Sequence, residues 1–310
     1  MPQPTVHILL ATYNGGRFLA EQLSSIARQT HTDWTLTVSD DGSTDDTLDI
    51  VAQFAEQVSQ PITVLTGPCQ GSSTRNFFHL IQHAQARSPS DLFAFCDQDD
   101  VWLDYKLARA AAWHLENSKN PVRLYCSRTQ FVDEQLKPIG LSPGIQRAPT
   151  FGNALVQNIA SGNTMVMSQA VLMAQKKVQP EHSVWHDWTT YLVATALGGQ
   201  VWFDNHVGVS YRQHARNVIG SNNGVIAQVK RLKPLATGRF RQWTDAGLAA
   251  VKDLETLPTP SALDICHQFA MIRSNPFIWR RLMAWRKTGI RRQTIGSNLS
   301  LAFGLMLSLV

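Results

Sequence analysis

The chain has 310 residues, 44% apolar and 16% charged. This excludes intrinsic disorder and suffices for one large domain or two small ones. The net charge of +5 is unevenly spread: residues 1–222 hold 15 basic and 19 acidic side chains, residues 223–310 hold 13 and 4. The asymmetry implies an acidic or neutral body joined to a basic tail that seeks an anionic surface, nucleic acid or membrane. Cys69, Cys96, Cys126 and Cys266 form no CxxC pair and read as reduced thiols of a cytoplasmic protein, with Cys96 and Cys126 buried. The opening Met-Pro-Gln-Pro-Thr has no charged segment followed by an apolar stretch, so no secretory signal is expected. The apolar run Leu299 to Val310 is too short to span a bilayer.

The first hundred residues alternate strand and helix patterns. Val6 to Leu10, Trp34 to Val38, Ile62 to Leu65 and Leu92 to Cys96 read as strands. Helices are expected around Phe18 to Ala27, from Thr44, over Phe77 to Ala86 with Asn76 as a possible N-cap, and over Lys106 to Leu115. The alternation implies an α/β fold with a mostly parallel sheet flanked by helices. Ligands of such sheets bind beyond the carboxyl ends of the strands. Three polar clusters stand there: Thr12-Tyr13-Asn14, Asp40-Asp41 and Asp97-Gln98-Asp99-Asp100. Further on, Leu124 to Val132 is extended, Pro138 to Pro149 is a loop, and Thr164 to Met167 is a strand. Trp188 to Leu197 is helical, and Val201 to Phe203 and Val207 to Tyr211 look like paired strands. The expected division is a catalytic domain over 1–222, with halves 1–117 and 118–222, and a basic helical extension over 223–310.

Two carboxylates one residue apart at a strand end can reach a hard divalent cation together, although an isolated D-x-D is more often a solvated turn with Asp100 capping the next helix. Asp40-Asp41-Gly42-Ser43 also reads both as a turn with a helix cap and as a place where a carboxylate takes a ring N–H. Asp187 opens a helix, where the dipole favours a charged carboxylate; it is either a general base or only an N-cap. His214 suits a metal shell, a phosphate contact or a plain polar role. Arg212 and Arg216 flank it as diphosphate contacts or as an exposed basic loop.

Thr12-Tyr13-Asn14, Gln29-Thr30, Asp40-Asp41-Gly42-Ser43-Thr44-Asp45, Arg75-Asn76 and Asp97-Gln98-Asp99-Asp100-Val101-Trp102, in this order and spacing, resemble the inverting glycosyltransferases of family 2, which have the GT-A fold. Ser161-Gly162-Asn163-Thr164, His186-Asp187-Trp188 and Tyr211-Arg212-Gln213-His214 resemble a rhamnosyltransferase-like branch. The resemblance covers about residues 5–220. It implies a nucleotide-diphospho-sugar donor (dTDP-rhamnose or a UDP-sugar), bound by Thr12, Tyr13, Asn14, Asp40, Asp41, Arg75, Asp97, Gln98 and Arg212. It also implies Mg²⁺ or Mn²⁺ on Asp99 and His214, and Asp187 as catalytic base. Many relatives have Glu-Asp where this chain has His186-Asp187, which leaves the role of His186 open; it is expected to support the site from behind or to be structural, rather than to be the base. The acceptor implied is a glycan, lipid-linked, in bacterial surface polysaccharide synthesis.

Other classes fit less well. A nucleotidyltransferase needs a Gly-rich basic phosphate loop, and a dinucleotide oxidoreductase needs G-x-G-x-x-G after the first strand. Neither is present. A non-catalytic nucleotide-sugar or glycan-binding relative is expected to lack Asp97, Asp99 or Asp187, and all three are there. In residues 276–310, Trp and Ile interleave with Arg and Lys, which suits a helix in the headgroup region with Trp279 and Trp285 at that depth, or a helix packed on the domain with a basic outer face. No nucleic-acid module is recognised. The expected location is the cytoplasm, peripheral to the inner face of the cell membrane.

Overall fold

The computed structural model describes residues 3–214 and 237–310. Strands β1 (Val6–Thr12), β2 (Trp34–Asp40), β3 (Ile62–Thr66) and β4 (Leu92–Cys96) are joined through helices α1 (Leu19–Ala27), α2 (Thr47–Gln57) and α3 (Ser73–His83). They pair in parallel in the order β3-β2-β1-β4. β1 lies in the middle and is buried along its whole length, which is why it reads as an apolar run. Its residues alternate between two cores. Val6, Ile8 and Leu10 face Leu23 of α1, Phe54 of α2 and Leu107 of α4 (Lys106–Glu116). Leu9 and Ala11 face Phe77 and Leu80 of α3. The winding direction reverses between β1 and β4, so their carboxyl ends open a crevice for ligands.

Beyond β4 the sheet becomes mixed. β5 (Val101–Trp102), β6 (Arg123–Val132), β7 (Pro138–Leu141), β8 (Val166–Ser168) and β9 (Gln200–Arg212) continue it in the order β4-β8-β6-β9-β5, with β7 on β6. β8 runs antiparallel to both neighbours, and β6 and β9 pair in parallel. The parallel arrangement expected from the sequence therefore holds for β1–β4 and for the β6·β9 pair. The two strands expected within 201–211 are one strand, whose register shifts around Ser127 and Arg128 of β6 where it passes Asp204 to Val207. The Pro/Gly loop contains β7. Helix α3 starts at Ser73, capped by the Ser72 hydroxyl, which accepts from Arg75 N–H. Asn76 is instead buried inside the helix, where its amide donates to the carbonyls of Thr12 and Ser39 and ties α3 to the ends of β1 and β2.

α5 (Phe151–Ala154), α6 (Gln169–Gln175) and α7 (His186–Ala196) cover the other face. α7 is buried on nearly every side because α8 (Arg239–Asp253) packs across it. Phe240 and Val251 of α8, Phe269 and Ile272 of α9 (Pro260–Ser274), and Leu301 and Leu305 of α11 (Ile295–Met306) join Leu192 and Val193 of α7 in one core, with α10 (Ile278–Trp285) beside α11. The C-terminal helices thus pack on the body. The boundary expected at 222/223 lies outside the described residues. Among the described residues no helix is long and apolar enough to cross a membrane.

Candidate active site

A cleft of about 1080 Å³ opens over the carboxyl ends of β1 and β4. Residues from each of the three strand-end clusters line one side of it, and Ser161, Gly162 and Val184 to Asp187 line another.

The loop side is stitched together by its own side chains. The Gln98 amide clamps the backbone of Tyr13, accepting from its N–H at 2.8 Å and donating to its carbonyl at 3.0 Å. The Tyr13 ring is left half exposed in the cleft. Asn14 turns the chain with φ +46° and is held by Ser43 Oγ at its N–H and by Thr44 N–H at its side-chain oxygen. Gly15 N–H donates to Thr47 and Gly16 N–H to Asp45. Asp45 sits below the ordinary carboxylate range: the little burial it has raises it, and hydrogen bonds from Thr47 and Gly16 outweigh that. Asp41 lines the cleft and accepts from Gln70 and Gly71 N–H, which fixes the loop before α3.

The acidic loop crowds three carboxylates. Burial, then Asp99, then Asp187 raise the Asp97 carboxyl well above its ordinary value. Asp99 accepts from His214 Nε2 at 2.7 Å. Asp100 is fully buried, accepting from Asn163 and from Arg212 N–H, so it is not a solvated helix cap. Among the described residues no three His, Cys, Asp or Glu groups converge as a ready-made metal cage. A carboxylate oxygen and an imidazole nitrogen side by side, next to a carboxyl raised by its neighbours, nevertheless fit a divalent cation that completes its shell with diphosphate oxygens.

Across the cleft, Asp187 lies in the first turn of α7, whose N-cap is Trp185. The N-cap alternative for Asp187 is therefore excluded. Its oxygens accept from Trp188 N–H at 2.6 Å and Gly162 N–H at 3.2 Å. Burial pushes it up to about 6 against these hydrogen bonds. That value leaves it ionised at neutral pH and still basic enough to take a proton. His186 is stacked on Phe77 at 3.8 Å and meets the edge of Phe95 at 4.8 Å, and burial lowers it to about 3. It is a neutral packing ring, the structural one of the two roles expected for it. A Cβ on Gly162 would stand 2.5 Å from its Nε2, so only glycine brings this backbone against α7. Trp185 lines the cleft beside Asp187, backed by Trp188 at 5.9 Å and by Trp243 of α8 at 5.0 Å. This aromatic wall was not foreseen in the sequence.

Of the residues singled out, Thr12, Tyr13, Asn14, Asp41, Asp97, Gln98, Asp99, Asp187 and His214 share the cleft. Three are placed otherwise. Asp40 is buried behind it, its oxygens taken by Thr12, Gly42 and Ser43, which makes it the organiser of its own loop. Arg75 does not line the cleft and pairs with Glu181 at 3.7 Å, both exposed. Arg212 is almost wholly buried: its guanidinium donates to the carbonyls of Asp99 and Glu134, pairs with Glu21 and lies over the Phe18 ring at 4.4 Å. It fixes the acidic loop instead of reaching a diphosphate. Arg216 lies outside the described residues.

Residues 7–174 match the family described as glycosyl transferase family 2. The chain is 30% identical over 236 residues to the dTDP-rhamnosyl transferase RfbG of Shigella flexneri, covering 72% of this chain and 78% of that one. Two solved structures share the fold. One is S. aureus TarS 1–349 in complex with UDP, with TM-score 0.56 and 17% identity, covering 88% of this chain and 72% of that one. The other is the mannosyltransferase PcManGT from Pyrobaculum calidifontis in complex with GDP-Man and Mn²⁺, with TM-score 0.53 and 15% identity, covering 99% and 86%.

Proposed function

Because the chain belongs to glycosyl transferase family 2, we propose that it transfers a sugar with inversion, rhamnose from dTDP-rhamnose in the first instance, to a hydroxyl of a lipid-linked glycan in bacterial surface polysaccharide synthesis. The observation that carries the reading is Asp187, a carboxyl raised to about 6, lining the same cleft as Asp97, Asp99 and His214. A single displacement needs one base at the acceptor hydroxyl and charge stabilisation at the leaving diphosphate. Asp187 takes the hydroxyl proton while the acceptor oxygen bonds to the anomeric carbon and the bond to the diphosphate oxygen breaks. Tyr13 offers a face for the base, Asp41 an acceptor beside it, and Asp97 an oxygen for the ribose or sugar hydroxyls. Asp99 and His214 would hold Mg²⁺ or Mn²⁺, which when bound neutralises charge on the diphosphate. Trp185 offers an apolar face to the acceptor sugar. RfbG's name supports dTDP-rhamnose, and the Mn²⁺ in the PcManGT structure supports the metal.

A panel of dTDP-, UDP- and GDP-sugars, each with and without Mn²⁺, tests this by thermal stabilisation and metal-dependent donor hydrolysis. The expected result is a shift with dTDP-rhamnose that EDTA abolishes. Equal shifts with and without metal, or no shift with any nucleotide, refute the reading.

A further inference from the structure

We propose that α10 and α11 form a docking face for an anionic lipid bilayer, with their apolar side chains entering the headgroup boundary. This goes beyond the transfer reaction and does not depend on it. Ile295, Leu299 and Phe303 of α11 and its C-cap Leu307 recur every four residues and so form one stripe. All four are exposed, Ile295 at 74% and Leu299 at 67%, while Leu301, Gly304 and Leu305 on the other side are buried against the body. Ile278, Trp279 and Met283 of the neighbouring α10 and its N-cap Phe277 are exposed. The two helices are stapled by Arg281, whose buried guanidinium donates to the carbonyls of Leu305 and Met306 and to Ser308 Oγ. The face is thus presented by a packed pair. Trp285 is not part of it: its ring packs against the core and its Nε1–H donates to the Ile290 carbonyl.

Charge selects the occupant. The sequence after Asp264 holds no Asp or Glu. Arg280, Arg286 and Lys287 are exposed beside the apolar groups, with the Arg280 guanidinium 4.9 Å from the Phe277 ring centre and 5.0 Å from that of Trp279. A second copy of the chain would bring the same cations. Residues 215–236 would bring Arg216, Lys230, Arg231 and Lys233 and no carboxylate. Lipid phosphates supply the opposite sign. At 1.5 Å per residue, the 12-residue α11 is about 18 Å long, well short of the ~30 Å hydrocarbon layer. It therefore lies along the surface.

Flotation of the full chain with phosphatidylglycerol/phosphatidylcholine vesicles tests the proposal without any donor. The wild type should float at low salt, be released by high salt, and float poorly on phosphatidylcholine alone. Leu299→Glu/Phe303→Glu should cut partitioning by at least about tenfold, and Arg280→Glu/Lys287→Glu by about fivefold for each charge removed. Thermal melts should be unchanged, since all four side chains are exposed. A wild type that stays unbound at low salt, or a Leu299→Glu/Phe303→Glu variant that floats as well as wild type, overturns it. So does gel filtration showing a dimer that this variant splits while neither form binds vesicles, because the face then serves a second copy.

Discussion

One wall of the cleft is made of loops at the ends of β1, β2 and β4, whose polar side chains hold one another: Gln98 on Tyr13, Ser43 on Asn14, Asp40 on Ser43. The wall opposite is made of one helix start, with Asp187 held by two backbone N–H groups and Trp185 braced by an indole from α8. The first wall is held largely by its own loops, with Asp99 taking its partner His214 from just after β9. The second depends on packing brought from the far end of the chain. A group that waits for a ligand is therefore found by asking which carboxylates the loops leave facing the cleft. That question separates Asp41, Asp97 and Asp99 from Asp40.

Substitutions that touch one wall at a time sharpen this contrast. The largest effect is expected from Asp187→Asn, which should lower the transfer rate by ~10²–10⁴-fold with calorimetric donor affinity unchanged. In the unsubstituted enzyme, kcat/KM should fall about tenfold per unit below about pH 6, because a base at Asp187 would act only when ionised and burial raises this carboxyl to about 6. Asp187→Asn should lose this limb, and a limb that persists would place the titration on another group.

Arg212→Ala attacks the loop wall from behind. It strands the carbonyls of Asp99 and Glu134 and should cost about 2–4 kcal/mol of stability, with the half-exposed Glu21 contributing little of it. Denaturant melts check this. A stable variant with only a weaker donor affinity would return Arg212 to the diphosphate.

Asp99→Ala and His214→Ala should each weaken Mn²⁺-dependent binding of a nucleoside diphosphate by about tenfold or more, with metal-free binding unaltered, as titration calorimetry would read. Trp185→Ala belongs to the other wall. It should raise the acceptor KM several-fold, the ~0.5–1.5 kcal/mol of an aromatic face, while donor affinity stays put. A donor defect in this variant would mean that the two walls are not separable.

The loop wall was legible in the sequence because a buried parallel strand announces itself as an apolar run, and the polar residues that stop it mark the ligand side of the sheet. What stayed hidden there was direction. Asp40 and Asp41 are consecutive and their side chains diverge, one into its own turn and one toward the cleft. Arg212, next to a cleft-lining tyrosine in a polar loop motif, gave no sign of being almost wholly buried. The helix wall was legible only at Asp187. Trp185 and Trp243 are 58 positions apart and meet solely because α8 crosses α7, a tertiary fact with no local pattern. The tail was read correctly as helical and cationic, but its Trp/Arg alternation concealed the four-residue apolar stripe on α11, which periodicity counted over 295–307 would have exposed.

Gly162 shows how little of a proton affinity needs to reside in side chains. Its N–H is one of the amides that steady the Asp187 carboxylate, and it reaches that place only because no Cβ separates its backbone from a histidine ring wedged between two phenylalanines. A methyl group there would push the amide off and leave the carboxylate with one supporting dipole fewer. The basicity of the site is thus written partly in main-chain spacing. Scanning the cleft by truncation passes over this determinant, because the residue that sets it has nothing to remove.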